Sequence, residues 1–210
     1  MKKDKKKTVD TEKTYDLKHI RKAVKADLSS KRYEHTLGVE YTAAALAMRY
    51  GACLEAARTA GLLHDCAKCI SDEKQLKFCR KHGIAISEAE EKAPFLLHAK
   101  VGAYLAREKY GVNDPGILSA ILHHTTGCEN MSLLEKIIFI SDYIEPGRKQ
   151  APNLKKIREL AFRDLDEALL SILEDTLKYL KASGAKLDPM TEVTWNYYKK
   201  STNVKREDIF

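Results

Sequence analysis

Apolar residues recur every three or four positions along nearly the whole chain, the spacing that lays one face of an α-helix against a core. Leu17, Ile20, Val24 and Leu28 predict a first helix over about 16–28. Leu37, Tyr41, Ala44, Ala45 and Met48 predict a second over about 31–50, stopped by Gly51. An Ala- and Leu-rich stretch over about 54–68 reads as a deeply packed third helix. Residues 88–91 form a short helical turn closed by Pro94, and a helix over about 97–110 ends at Gly111. Asp114-Pro115 supplies an N-cap and first-turn pair for a helix reaching about residue 124. Ser132 with Glu135 makes a capping box ahead of Leu133, Leu134, Ile137, Ile138 and Ile140, a helix that stops before Pro146-Gly147. Two more helices follow over about 154–162 and 165–182, and a last segment over about 189–199. No period-2 alternation or hairpin turn signal appears, and no repeat of 20–50 residues. The fold class expected is all-α: one helical bundle of about eight to ten helices over residues 15–200, between tails at 1–14 and 201–210.

Composition narrows the class without naming a function. At 210 residues, 44% apolar and 32% charged, the chain has the balance of an ordinary globular domain, which disfavours intrinsic disorder and a disulfide scaffold. Five lysines and one aspartate within residues 1–7 carry +4 of the formal +7, so the remainder holds only +3. A solvated basic tail on a nearly neutral body is the expectation, and nucleic acid is at most a weak partner of that tail. No apolar run of 18 residues and no export signal are present, so no membrane association is expected. Five cysteines, an odd count, fit reduced thiols in the cytoplasm. Cys66 and Cys69 form a Cys-x-x-Cys pair, but inside a helix and without a second pair to complete a zinc or redox motif.

The polar residues that interrupt apolar helices carry the chemistry. A single histidine beside a helix is ordinarily a satisfied core or surface residue. His64-Asp65, near the end of the most apolar helix, is different, because burying that pair costs several kcal/mol unless a partner or metal satisfies it. His35, His98 and His124 fall on separate helices, and Asp142 interrupts Ile137-Ile138-Phe139-Ile140-Ser141-Asp142-Tyr143. Six nitrogen and oxygen donors suffice for a two-metal centre, and imidazole with carboxylate suits Fe, Mn, Zn or Ni. A carboxylate such as that of Asp65 can bridge two ions around a hydroxide, a nucleophile suited to in-line displacement at phosphorus.

The ordered series His35, His64-Asp65, His98, His124, Asp142 resembles the HD-domain metal-dependent phosphohydrolases. Four segments resemble one branch of that family, the symmetrical bis(5′-nucleosyl)-tetraphosphatases: Arg32-Tyr33-Glu34-His35-Thr36, Leu62-Leu63-His64-Asp65-Cys66-Ala67-Lys68, His124-Thr125-Thr126-Gly127 and Ser141-Asp142-Tyr143-Ile144-Glu145-Pro146-Gly147-Arg148. The likeness runs over about 28–198. It implies an all-α HD domain with a di-metal, di-iron centre that cleaves diadenosine tetraphosphate into two ADP. It also implies His35, His64, Asp65, His98, His124 and Asp142 as metal ligands, with His64 and Asp65 catalytic and Asp65 bridging the ions and orienting the nucleophile. Arg32, Lys68 and Arg148 would meet phosphate oxygens, and Thr191 falls in a segment near the nucleotide. The implied partner is a small-molecule nucleotide, with a homodimer as a further expectation.

Two positions depart from that pattern. His123 stands where an aromatic residue is usual, beside His124. One residue rotates a side chain by about 100° on a helix, so only one of the two can face the centre. The register of the resemblance assigns this to His124 and leaves His123 as a hydrogen-bonding neighbour. Lys100 stands where a more neutral residue is usual, which bears on pocket shape. Two other readings accompany the main one. An HD phosphohydrolase could act on guanosine tetraphosphate, another nucleotide phosphate or a cyclic nucleotide. A non-catalytic metal- or RNA-binding module is the other, and retention of all six candidate ligands argues against it.

Overall fold

The periodic stripes fold as helices because each has a face to bury and a residue that stops it. The computed structural model describes residues 15–184 and 188–207, without the side chains beyond 201. Among these residues are eleven α-helices, one short 3-10 turn and no strand. In chain order they are α1 (Leu17–Asp27), α2 (Ser30–Tyr50), α3 (Leu54–Leu63), α4 (Asp72–His82) and α5 (Glu88–Lys92), then the 3-10 turn Pro94–Leu97. The series continues with α6 (His98–Glu108), α7 (Pro115–His123), α8 (Leu133–Ile144), α9 (Leu154–Ala161), α10 (Leu165–Ser183) and α11 (Pro189–Glu207). No described helix is long and apolar enough to cross a membrane. The expected tail at 1–14 lies outside the described residues, and the stretch after residue 200 begins inside α11.

Caps set the ends. Ser29 accepts the Arg32 N–H at the start of α2, and Gly51 closes that helix at φ 71°, a left-handed conformation that favours glycine. Asp114 accepts the Ile117 N–H ahead of Pro115. Both halves of the Ser132–Glu135 capping box are formed at α8. Leu62, Leu63, Ile121, Ile137, Ile138 and Ile140 are fully buried, so α3, α7 and α8 form the centre of the core. The crossing of α2 with α3 is close, since a Cβ on Gly61 would lie 2.9 Å from the Glu40 Cα.

Two elements differ from the sequence expectation. The helix α4 lacks a prediction because Leu76, Phe78 and Cys79 are its only strongly apolar residues among eight charged or polar ones. The third helix ends at Leu63 rather than near 68. Gly61 O, which would take the Asp65 N–H in a continuing helix, accepts from His64 Nδ1 at 2.7 Å instead. The chain then tightens into i→i+3 bonds, Cys66 N–H to Leu63 O and Lys68 N–H to Asp65 O. Asp65 and Lys68 therefore sit in a turn, not on a helix face.

Candidate metal centre

Five helices end or pass at one point. His35 lies early in α2, His64 caps the end of α3, His98 opens α6, His124 follows α7 and Asp142 lies in the last turn of α8. Asp65, in the turn after α3, is only 3% exposed and stands between them. Its two oxygens face opposite ways. Oδ2 lies 3.4 Å from His64 Nε2 and 3.8 Å from His35 Nε2, whereas Oδ1 lies 3.4 Å from His98 Nε2 and 3.6 Å from His124 Nε2. Asp142 Oδ1 is 3.0 Å from His35 Nε2. The structure thus brings all six sequence-designated donors together.

The imidazoles are held so that Nε2 points inward. Nδ1 of His64, His98 and His124 each donates to the carbonyl three residues earlier, Gly61, Phe95 and Ile121, at 2.7, 2.6 and 2.7 Å. His35 Nδ1 has a side-chain partner, Glu145 Oε1 at 3.1 Å. Tying Nδ1–H fixes the tautomer and leaves Nε2 as a lone-pair donor, the outer-shell arrangement of metal-ligating histidines. Two of the four inward atoms are not satisfied within the protein: His35 Nε2 and His64 Nε2 are buried without a hydrogen-bond partner. Orphaned acceptors converging on two carboxylates repel one another unless a cation stands among them. The donor set therefore fits divalent transition metals.

The electrostatics agree. Burial works to raise the Asp65 carboxyl, but the imidazoles of His64 and His124 against it reverse this and hold it well below the usual range. Burial likewise opposes ionisation of Asp142, and His35 beside it brings that carboxyl down. Burial, with His124 and Lys68 beside it, pushes His98 down to about 3, so it stays neutral as a ligand must. Burial also lowers Lys68, whose Nζ lies 3.2 Å from His98 Nε2.

The candidate substrate-binding residues divide. Arg32 Nη1 donates to Asp65 Oδ2 at 2.8 Å and Arg148 Nη2 to Asp142 Oδ1 at 2.8 Å. Both side chains keep a third or more of their surface open, 34% and 39%, so they form a basic rim over the carboxylates. Thr191 is not brought to the cluster: it is buried on α11, and its N–H bonds Asp188 O. His124, not His123, turns inward, and His123 Nδ1 meets Glu135 Oε1 at 2.7 Å on α8.

Two contributors escaped the sequence reading. Thr125 Oγ1 lies 3.2 Å from both His98 Nε2 and His124 Nε2. Glu145 is 4% exposed, with Oε2 accepting the Gly147 N–H at 2.5 Å. Its carboxylate is gripped by two glycines, since a Cβ on Gly38 or Gly147 would lie 2.5 or 2.9 Å from Oε2. Thr125 and Glu145 both fall inside segments that carry the family resemblance, but a glutamate at a helix end before Pro146-Gly147 ordinarily reads as surface.

Comparison with known proteins gives the family. The HD domain family matches residues 32–147. A symmetrical bis(5′-nucleosyl)-tetraphosphatase of Halalkalibacterium halodurans is 42% identical over 173 residues, 82% of this chain and 91% of the relative. One of Bacillus subtilis is 39% identical over 174 residues, 83% of this chain and 92% of that protein. Among solved structures, a predicted HD superfamily hydrolase involved in NAD metabolism from Clostridium acetobutylicum superposes with a TM-score of 0.86 at 40% identity, covering 90% of this chain and 100% of that one.

Proposed function

The chain belongs to the HD domain family, and from that premise we propose that it hydrolyses diadenosine tetraphosphate at the middle of its phosphate chain, releasing two ADP. The observation that carries this reading is the Asp65 carboxylate, whose two oxygens each face a separate pair of inward imidazole nitrogens. That is the donor arrangement of a two-metal phosphohydrolase.

His35, His64, Asp142 and Asp65 Oδ2 would hold one ion; His98, His124 and Asp65 Oδ1 would hold the other. The bound ions supply a nucleophile at neutral pH and offset the charge of the phosphates. Iron is the metal we assign, on the family resemblance and on a donor set of imidazole and carboxylate that also accepts Mn, Zn or Ni. The protein's own part is positional. Arg32 and Arg148 reach phosphate oxygens from the rim, where their planar forks suit bidentate contact. Lys68 adds a charge on the His98 side. Glu145 and the three backbone carbonyls keep Nε2 of every histidine free of its proton. A cytosolic location accords with the free thiols of all five cysteines.

An anaerobic assay with iron-loaded protein and diadenosine tetraphosphate, its products resolved by chromatography, tests this reading. Two ADP and no ATP or AMP is the expected result. ATP with AMP would refute central cleavage, and no product from fully loaded protein would refute the substrate.

A further inference from the structure

A cavity of about 230 Å³ opens beside the metal centre, and Thr125 belongs to both. Leu96, Ala99, Leu122 and Met190 give it an apolar lining. Glu90 and Asp188 line it as well. The only cation among its lining residues, Lys100, is tied down: Nζ donates to Glu90 Oε2 at 2.7 Å and to Ala85 O at 2.8 Å. Such a cavity does not attract a phosphate. It suits a flat, uncharged ring that carries hydrogen-bond donors, and its size is below the roughly 300–1,000 Å³ of pockets that enclose a whole drug-sized ligand.

His123 lines this cavity, and its other face is fixed from outside. Nδ1 donates to Glu135 Oε1 at 2.7 Å, an oxygen that also accepts from Ser119 Oγ at 2.7 Å. Glu135 is itself immobilised, because Oε2 accepts the Ser132 N–H at 2.6 Å in the α8 capping box. With Nδ1 committed to Glu135, Nε2 is the ring nitrogen left for a ligand, and no described residue takes it. The ring cannot exchange tautomers without breaking the bond to Glu135.

We propose that His123, held by Glu135, reads the base of the substrate: Nε2 accepts a hydrogen bond from the exocyclic amine of adenine seated between Leu122 and Met190. This rests on the nucleotide reading above and extends it to base specificity. A base with a carbonyl at that position sets one lone pair against another. Discrimination against hypoxanthine is therefore built into this position of the chain.

Equilibrium binding of ADP and IDP to the metal-loaded protein tests this without requiring turnover. ADP binds about three- to tenfold tighter than IDP to the unaltered protein, the range of one net hydrogen bond. In His123→Phe the ratio falls to near one, with metal content and helicity unchanged. In His123→Gln, which retains an amide acceptor of similar reach, the ratio lies between the two. Equal binding of ADP and IDP by the unaltered protein overturns the proposal. So does an unchanged ratio in His123→Phe, or loss of metal in that variant. Failure of diadenosine tetraphosphate hydrolysis would refute the functional reading instead, and the ADP-to-IDP ratio would still decide the role of His123.

Discussion

Replacing Glu145 by glutamine removes one charge from a buried carboxylate and leaves its shape, which isolates what the carboxylate does for His35. In the native arrangement Oε1 accepts the His35 Nδ1–H at 3.1 Å and Oε2 accepts the Gly147 N–H at 2.5 Å, so both oxygens act as acceptors. Glutamine has one acceptor and one donor. If its NH2 faces His35, the ring must give up its Nδ1 proton and carry one on Nε2, the atom needed for the metal. If it faces Gly147, two donors confront each other in a buried site, an unsatisfied group costing about 1–3 kcal/mol. Either orientation weakens the site by the same route, the pinning of a ligating histidine. Loss of such an outer partner costs about 10- to 100-fold in metal affinity, equivalent to about 1.4–2.7 kcal/mol. Competition with a chromophoric chelator measures this directly, and activity as a function of added metal measures it again. The activity curve of Glu145→Gln shifts to higher metal by that factor and recovers most of the native plateau. An unshifted metal affinity in a folded variant refutes the reasoning. A lowered plateau with no shift would mean that Glu145 acts on the substrate rather than through His35.

Gly38→Ala tests the same contact from the opposite side: the new Cβ would lie 2.5 Å from Glu145 Oε2, and the same metal titration is expected to shift in the same direction. Asp65→Ala deletes the group facing all four imidazoles, so metal content by elemental analysis falls by at least one ion and turnover drops to background; full activity in that variant would end the metal-centre reading. Arg148→Ala removes a charged hydrogen-bond donor from the rim, lowering kcat/KM about 10- to 100-fold through KM while metal content holds. Gly61→Ala drives a Cβ against the Glu40 backbone of α2, costing about 1–3 kcal/mol and about 2–4 °C of Tm per kcal/mol in a thermal melt. Glu135 has its carboxyl brought down to about 2, because hydrogen bonds from His123, Ser119 and Ser132 outweigh the opposing effect of burial. Its stabilising contribution is full above the ordinary value of 4.5 and disappears as pH falls through about 2, so the gap in urea midpoint between the native protein and Glu135→Gln closes over that interval.

What could be read from the sequence follows from what each residue does locally. Most helices were legible because they bury a stripe of side chains, and the period of that stripe is a property of the chain. The helix α4 was not, because it rests few apolar side chains on a small cluster with Leu97 and Val101. The six donors were legible for the opposite reason: each is polar where the pattern demands apolar, most plainly His64-Asp65 and Asp142. Glu145, Thr125 and the early end of α3 left no such trace. Glu145 acts through a glycine from α2 and another just after α8, and Gly61 O captures His64 Nδ1 within a stretch whose apolar period continues unbroken.

The adjacent pair His123-His124 shows how the two kinds of information meet. On spacing alone either ring could face the centre. The capping box of α8, itself visible as Ser132 and Glu135, positions a carboxylate whose Oε2 closes the box and whose Oε1 meets Ser119 and His123 of α7. That oxygen takes His123 Nδ1 and draws the ring to the α8 side of α7. The roughly 100° turn between successive residues then directs His124 toward Asp65. One local signal thus acts twice: it starts a helix, and it selects which of two histidines faces the metals. The second role could not be read from residues 132–135, because it depends on α7 and α8 packing side by side. It is also why the residue turned away, His123, is left to line the neighbouring cavity.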